Sequence, residues 1–149
     1  MHHLAILSKK LKLLDKIIKG EKTIESRWYK SKKTPYGNIK KGDTIYFKNS
    51  GDPVTVKAEV EKSLFFDLRF TDVKEILKDY SKQICIQETA IEKYKDKNYC
   101  TLVFLKAVEK IEPFNINKSG YGLMSAWITL ENINQLKIHP SYFTNQTSF

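Results

Sequence analysis

Long hydrophobic runs are missing from this sequence of 149 residues. No apolar stretch approaches the ~18 residues that a membrane-spanning helix needs, which excludes a helical integral membrane protein. Near the N-terminus the apolar run is only residues 4–7, and two lysines follow it at once, so no secretory signal peptide is predicted. With 41% hydrophobic and 29% charged residues, the composition is that of a soluble globular domain without a membrane partner.

Cysteine and histidine are scarce as well. Cys85 and Cys100 form no C-x-x-C pair, so neither a disulfide framework nor a zinc site is indicated, and a reducing, cytoplasmic location is expected. His2 and His3 would point to opposite faces of a strand, and His139 is distant in sequence, so we predict no metal site. Because no Walker loop, dinucleotide fingerprint or G-x-S-x-G elbow occurs, we expect no cofactor.

Positive charge is in excess and is unevenly distributed. The net charge is +9, from 26 Lys plus Arg against 17 Asp plus Glu. Residues 1–50 hold 13 basic and four acidic side chains, whereas residues 51–149 hold 13 of each. The first third of the chain therefore predicts a polyanionic partner, of which nucleic acid is the commonest. The alternative is that the lysines only keep the surface soluble.

The hydrophobic pattern predicts about six short strands and two or three helices. Ser8 would cap a first helix that ends at Gly20, and Thr71 or Asp72 would cap a second that runs to Lys82. A third, short helix is expected over residues 88–94. The strands are predicted at residues 2–7, 23–28, 43–48, 54–60, 99–108 with a further stretch at 111–114, and 125–129. Mostly antiparallel strands with few helices favour an α+β fold, a small barrel in a single domain of residues 1–138, followed by a polar tail at 139–149.

One short motif combines charges of both signs. Residues 20–27 have the pattern G-x-K-x-x-E-x-R, in which Lys22, Glu25 and Arg27 are the charged members. On a strand, Glu25 and Arg27 would point to the same face because they are two residues apart. Lys22 lies at the turn between helix and strand and would reach over that face. The spacing therefore predicts that the three charges converge at one end of a groove.

This pattern resembles the signature of the ASCH domain, a relative of the PUA domain. The likeness is clear over residues 2–60 and extends to about residue 130 as a completed domain. It implies a small PUA-like β-barrel of about six mostly antiparallel strands with two or three flanking helices, and a cleft beside the signature helix. Family members bind RNA or other nucleic acid, and some are enzymes. The resemblance implies that Lys22, Glu25 and Arg27 line the cleft and that residues 64–98 are an elaboration of this chain.

Together, the charge distribution and the resemblance predict RNA or nucleotide binding through a basic cleft. Lys22 and Arg27 would contact phosphate or base edges, and Glu25 would orient Arg27 or accept a hydrogen bond from a base amine. Trp28 and Tyr36 are candidates for stacking against unpaired bases. The long loop at residues 29–42 would supply phosphate contacts from five lysines: Lys30, Lys32, Lys33, Lys40 and Lys41.

Three alternatives remain open at the level of sequence. Glu25 and Arg27 could form an intramolecular salt bridge that closes the barrel. The chain could instead be a hydrolase, a ribonuclease or an amidohydrolase, with Lys22 and Glu25 as candidate catalytic residues. The related amidohydrolases that deacylate modified cytidine use a Lys, a Thr nucleophile and a Glu, whereas this chain has Glu25 at the Thr position and Thr23 two residues earlier. A protein-interaction module would leave no trace in the sequence.

Overall fold

Six strands form one curled, mixed sheet in the computed structural model, which describes residues 1–138. The polar tail expected at residues 139–149 lies outside the described residues. The strands are β1 (His2–Leu7), β2 (Ile24–Tyr29), β3 (Thr44–Asn49), β4 (Val54–Asp67), β5 (Tyr99–Phe114) and β6 (Trp127–Leu130). The helices are α1 (Leu13–Ile18), α2 (Val73–Ile84) and α3 (Ile91–Tyr94), with short 3-10 turns at Glu88–Ala90 and Ile133–Gln135.

The strand order across the sheet is β2-β5-β4-β3-β1-β6. All neighbours are antiparallel except β1 and β3, which run parallel. The sheet curls into a half-barrel, so that its two edge strands, β2 and β6, lie on either side of one seam. The expectation of a small α+β barrel of about six mostly antiparallel strands is confirmed.

The two central strands are much longer than the sequence predicts. β4 has 14 residues and β5 has 16, and their pairing shifts register three times, between Val54 and Val56, Lys57 and Glu59, and Val60 and Lys62. Such bulges bend a sheet, and they also interrupt the alternation of apolar and polar residues. The prediction of short strands is wrong here because each bulge interrupts the alternation of apolar and polar residues that indicates a continuous strand.

Apolar side chains fill both faces of the curled sheet. Inside the curl, Leu14 and Ile17 of α1 pack against a buried cluster that includes Phe47 and Val103. On the outer face, α2 and α3 cover β2 and β5, with Leu77 among the buried residues. A third cluster lies under the C-terminal 3-10 turn, on the outer face of β1 and β6. No helix among residues 1–138 is long and apolar enough to cross a membrane.

The first helix begins later than predicted. Ser8 does not cap it; the chain turns over residues 9–12, and Lys12, with φ of 55°, precedes the first helical residue. Leu11, in this turn, is 54% exposed, and Gly20 ends the helical segment with φ of 78° as predicted. The capping rule failed because the chain leaves β1 through a turn that the local sequence does not reveal. For α2 the rule held, since the Asp72 carboxylate accepts a hydrogen bond from the Lys74 amide.

Candidate functional site

A cleft of about 790 Å³ lies along the free edge of β2. Its other walls are the turn before α1, the end of β1 and the segment from the end of α2 through α3. Five of its lining side chains are basic and one is acidic: Lys16, Lys22, Arg27, Lys93, Lys97 and Glu25. The cleft is therefore positive overall, and the three charged residues of the motif lie together within it, as the spacing predicts.

Lys22 is a buried lysine, only 2% exposed. Its Nζ donates hydrogen bonds of 2.8 Å to the main-chain carbonyl oxygens of Ile24 and Ile84, and it lies 3.6 Å from Glu25 Oε1. Because Ile84 is the last residue of α2, the ammonium satisfies a carbonyl that the helix leaves without an internal partner. Lys22 thus joins the edge of β2 to the end of α2.

Glu25 lies between the two cations and is 3% exposed. Its Oε1 accepts a 2.8 Å hydrogen bond from the Ser26 amide and faces Lys22. Its Oε2 lies 3.6 Å from Arg27 Nη2, beyond hydrogen-bond distance, and has no hydrogen-bond partner among residues 1–138. The carboxylate is therefore half satisfied by the protein.

Arg27 crosses the seam of the half-barrel. Its Nη2 donates to the Ile6 carbonyl of β1 at 3.1 Å, and its Nη1 donates to the Ala126 carbonyl, just before β6, at 3.3 Å. The guanidinium also lies 5.1 Å from the centre of the Trp127 ring. Arg27 therefore holds the two edges of the sheet together through side-chain hydrogen bonds. The salt bridge between Glu25 and Arg27, an alternative from the sequence, is one contact within this set.

Aromatic side chains form one wall of the cleft. Trp28 stacks on Tyr94 of α3, with 4.2 Å between ring centres and 18° between planes, and its Nε1 donates to Ser26 Oγ. Burial raises the pKa of the Tyr94 phenol, which stays protonated near neutral pH. The partner of one Trp28 face is thus Tyr94. Both residues are in the cleft lining but are buried, with Trp28 9% and Tyr94 8% exposed.

The lysines of the loop at 30–41 lie outside the cleft lining. Lys30 pairs with Asp96 at 3.1 Å, and Lys33 lies over the ring of Tyr29, a cleft residue, so these two border one end. Lys32 lies over Tyr36 and Tyr99. Tyr36 is half-buried, with its ring edge-on to Phe65 and Tyr99. Lys40 and Lys41 are exposed in the turn before β3.

Three lysines of the lining were missed by the sequence analysis: Lys16 on α1, and Lys93 and Lys97 on or just after α3. Lys16 is half-buried. For Lys93 and Lys97 the sequence holds no signal, because their place depends on how α3 folds back against β2.

The cleft offers charge and hydrogen bonds, and its lining also includes the hydroxyl groups of Ser8, Ser26 and Thr89 and the free thiol of Cys85. Thr23 is exposed and lies outside the lining, so it does not supply the hydroxyl that the amidohydrolase pattern needs. Within residues 1–138, no three His, Cys, Asp or Glu side chains are placed to hold a metal ion. The chemistry available at the inner end is that of Lys22, Glu25 and Arg27.

Solved structures share this architecture. The crystal structure of ASCH from Zymomonas mobilis matches with a TM-score of 0.65 and 14% identity, over 93% of this chain and 96% of that chain. A serine-to-alanine mutant of the same bacterial protein matches with a TM-score of 0.67 and 15% identity, over 99% of this chain and 96% of that chain. The chain has the fold of an ASCH domain.

A tyrosine-to-phenylalanine mutant of the Zymomonas mobilis protein gives the same result, with a TM-score of 0.66 and 15% identity over 92% of this chain and 99% of that chain. No protein-family model and no curated protein matches the sequence. The ASCH fold implied by the motif is thus confirmed by structure. In this ASCH fold the strand that carries Glu25 and Arg27 of the motif is an edge strand beside a cleft.

Proposed function

We propose that the chain binds RNA or a nucleotide in the cleft along β2. The observation that carries the proposal is that one cleft combines a cationic lining, the charged residues Lys22, Glu25 and Arg27, and the aromatic residues Trp28 and Tyr94. Phosphates need cations, and unpaired bases need flat apolar surfaces and directed polar groups. The cleft supplies cations and polar groups within a volume suited to a small ligand, and Trp28 and Tyr94 lie in its lining.

The lysines divide into two groups by position. Lys16, Lys93 and Lys97 line the cleft and would contact the phosphate of a bound nucleotide. The loop lysines lie outside it, and those nearest, Lys30 and Lys33, border one end. A longer RNA that leaves the cleft would meet the loop, where Lys32, Lys40 and Lys41 would add sequence-independent contacts.

A salt titration with labelled single-stranded RNA tests this proposal. Each phosphate neutralised on a single strand contributes a slope of about −0.7 to the plot of log affinity against log salt, so several contacts give a steep dependence. We expect anisotropy to report binding that weakens strongly between low and physiological salt. Binding that is absent, or independent of salt, would contradict the proposal.

Hydrolysis in the same cleft is the second candidate, and the contact between Lys22 and Glu25 favours it. A cation 3.6 Å from a carboxylate could serve acid–base chemistry on a ribose phosphate or an amide. Lys22, however, donates to two main-chain carbonyls, which commits it to the fold. Incubating RNA with the wild-type protein and with Glu25→Gln distinguishes hydrolysis from binding alone. Cleavage of the RNA that is lost in Glu25→Gln would favour the enzyme.

A further inference from the structure

Glu25 carries a buried acceptor that the protein leaves without a hydrogen bond. Oε1 is bonded to the Ser26 amide, whereas Oε2 has no hydrogen-bond partner among the described residues. Leaving a charged oxygen buried and unbonded is costly, typically by more than for a neutral group. Oε2 is itself buried although Glu25 lines the cleft, so a ligand brings the missing donor where it moves a neighbouring side chain at the inner end.

The neighbouring donors are partly committed to the protein. Lys22 Nζ donates to two carbonyl oxygens, and the two terminal nitrogens of Arg27 donate to two more. A phosphate at the inner end would lie beside the Glu25 carboxylate, whose negative charge opposes it. The inner end therefore favours a ligand group that donates, and the anionic part of the ligand belongs with Lys93 and the other cleft lysines.

We infer that the cleft selects bases that carry an amino group at the position of cytosine N4 or adenine N6, and that Glu25 Oε2 accepts a hydrogen bond from that group. This inference rests on the proposed function, since it concerns which nucleotide the cleft binds. Uracil and hypoxanthine present a carbonyl oxygen at the corresponding position, which would face the carboxylate. A hydrogen bond to a charged group typically changes affinity by about tenfold to a hundredfold.

Two pairs of nucleotides isolate the amino group. CMP and UMP share the sugar and phosphate, and so do AMP and IMP; each pair replaces an exocyclic amine by a carbonyl. Calorimetry or NMR titration of the full chain at one salt concentration gives the four dissociation constants. We expect CMP to bind about tenfold or more tightly than UMP, and AMP to exceed IMP by a similar factor.

Glu25→Gln tests which residue reads the base. The amide oxygen can keep the bond from the Ser26 amide, which places an N–H where Oε2 was. A donor in that position favours the carbonyl bases, so the ratio of CMP to UMP affinity should fall to one or below. Glu21→Gln, an exposed change one residue before Lys22, is the matched control and should keep the wild-type ratio.

The outcomes separate this inference from the proposed function. Equal affinities within both pairs would overturn the selection of amino bases while leaving nucleotide binding intact. A folded Glu25→Gln protein that keeps the wild-type preference would overturn the role of Glu25. If no nucleotide and no single-stranded RNA binds, the proposed function fails, and the inference fails with it. Should Glu25→Gln not fold, the two wild-type pairs alone decide.

Discussion

The ammonium nitrogen of Lys22 lies 2.8 Å from the carbonyl oxygen of Ile84, a residue 62 positions further along the chain. Ile84 ends α2, and the carbonyls of a final helical turn carry the negative end of the helix dipole. A cation at this point satisfies the helix end and neutralises Glu25 at the same time. The lysine of the motif therefore fixes the wall of the cleft as well as its charge.

Lys22→Ala is expected to destabilise the fold by about 3 kcal/mol, because it leaves the buried Glu25 carboxylate without one of its cations. Two carbonyl oxygens, of Ile24 and Ile84, lose their donor in the same change. Chemical denaturation of both proteins gives the difference in the free energy of unfolding. Lys19→Ala, an exposed change in the same turn, should stay within about 0.5 kcal/mol of the wild type. A loss of less than about 1 kcal/mol in the free energy of unfolding of Lys22→Ala would contradict this structural role of Lys22.

Lys93→Ala should weaken RNA binding more than Lys40→Ala, because Lys93 lines the cleft and Lys40 lies in a distant turn. Removing one phosphate contact should also reduce the salt slope by about 0.7. Lys78→Ala, on the exposed side of α2, is the control for net charge. Anisotropy titrations at several salt concentrations measure all three variants. Equal losses in all of them would show that only the overall charge matters.

Stability should fall as the solution is acidified from about pH 7 to about pH 5. His3 is fully buried, and its Nε2 lies 2.8 Å from Asp43 Oδ2. Trp127 Nε1 donates a hydrogen bond to Nδ1 of His3, so in the neutral imidazole of His3 the proton is assigned to Nε2. Burial lowers the pKa of His3 below its ordinary value of 6.5, against the opposing effect of Asp43.

For Asp43, burial acts to raise the pKa, but hydrogen bonds from His3 and the Lys40 amide hold the pKa below its ordinary value of 3.8. Both groups thus bind protons less readily in the folded state. The stability that they provide is complete above about pH 6.5 and declines as the pH falls. His3→Gln should flatten the decline of melting temperature. His2 has a pKa lowered by burial and by the N-terminal amine, so His2→Gln is the comparison that isolates His3. An unchanged slope in His3→Gln would contradict this account.

No deacylation of N4-acetylcytidine is expected. The residue at the position of the amidohydrolase nucleophile is Glu25, and Thr23 is exposed outside the cleft. A carboxylate would have to form an anhydride, which is a different intermediate from the ester of a Thr hydroxyl. Chromatography of the nucleoside after incubation measures release of cytidine. Turnover lost in Thr23→Ala would show a displaced nucleophile, and turnover lost only in Glu25→Ala would show general-base catalysis.

The motif and its strand were predictable because their geometry is local. Residues two apart on a strand share a face, so Glu25 and Arg27 meet in the structure as expected. The contacts that define the cleft come from distant parts of the chain, and local patterns do not encode them. Trp28 meets Tyr94, and Arg27 reaches Ala126, only once the sheet has curled. The hydrogen bonds of Arg27 across the seam were therefore not predictable, and its contact with a phosphate stays a prediction.

The edge of β2 has a consequence for self-association. An open edge strand normally offers its amide and carbonyl groups to any extended chain, which invites strand addition and aggregation. Here the side chains of Lys22 and Glu25 already bond the Ile24 carbonyl and the Ser26 amide, two groups that point away from β5. These two main-chain groups are therefore not available to pair with a strand from another chain. Lys22 and Glu25, which line the cleft, therefore also hinder the pairing of this edge with a strand from a second copy of the chain.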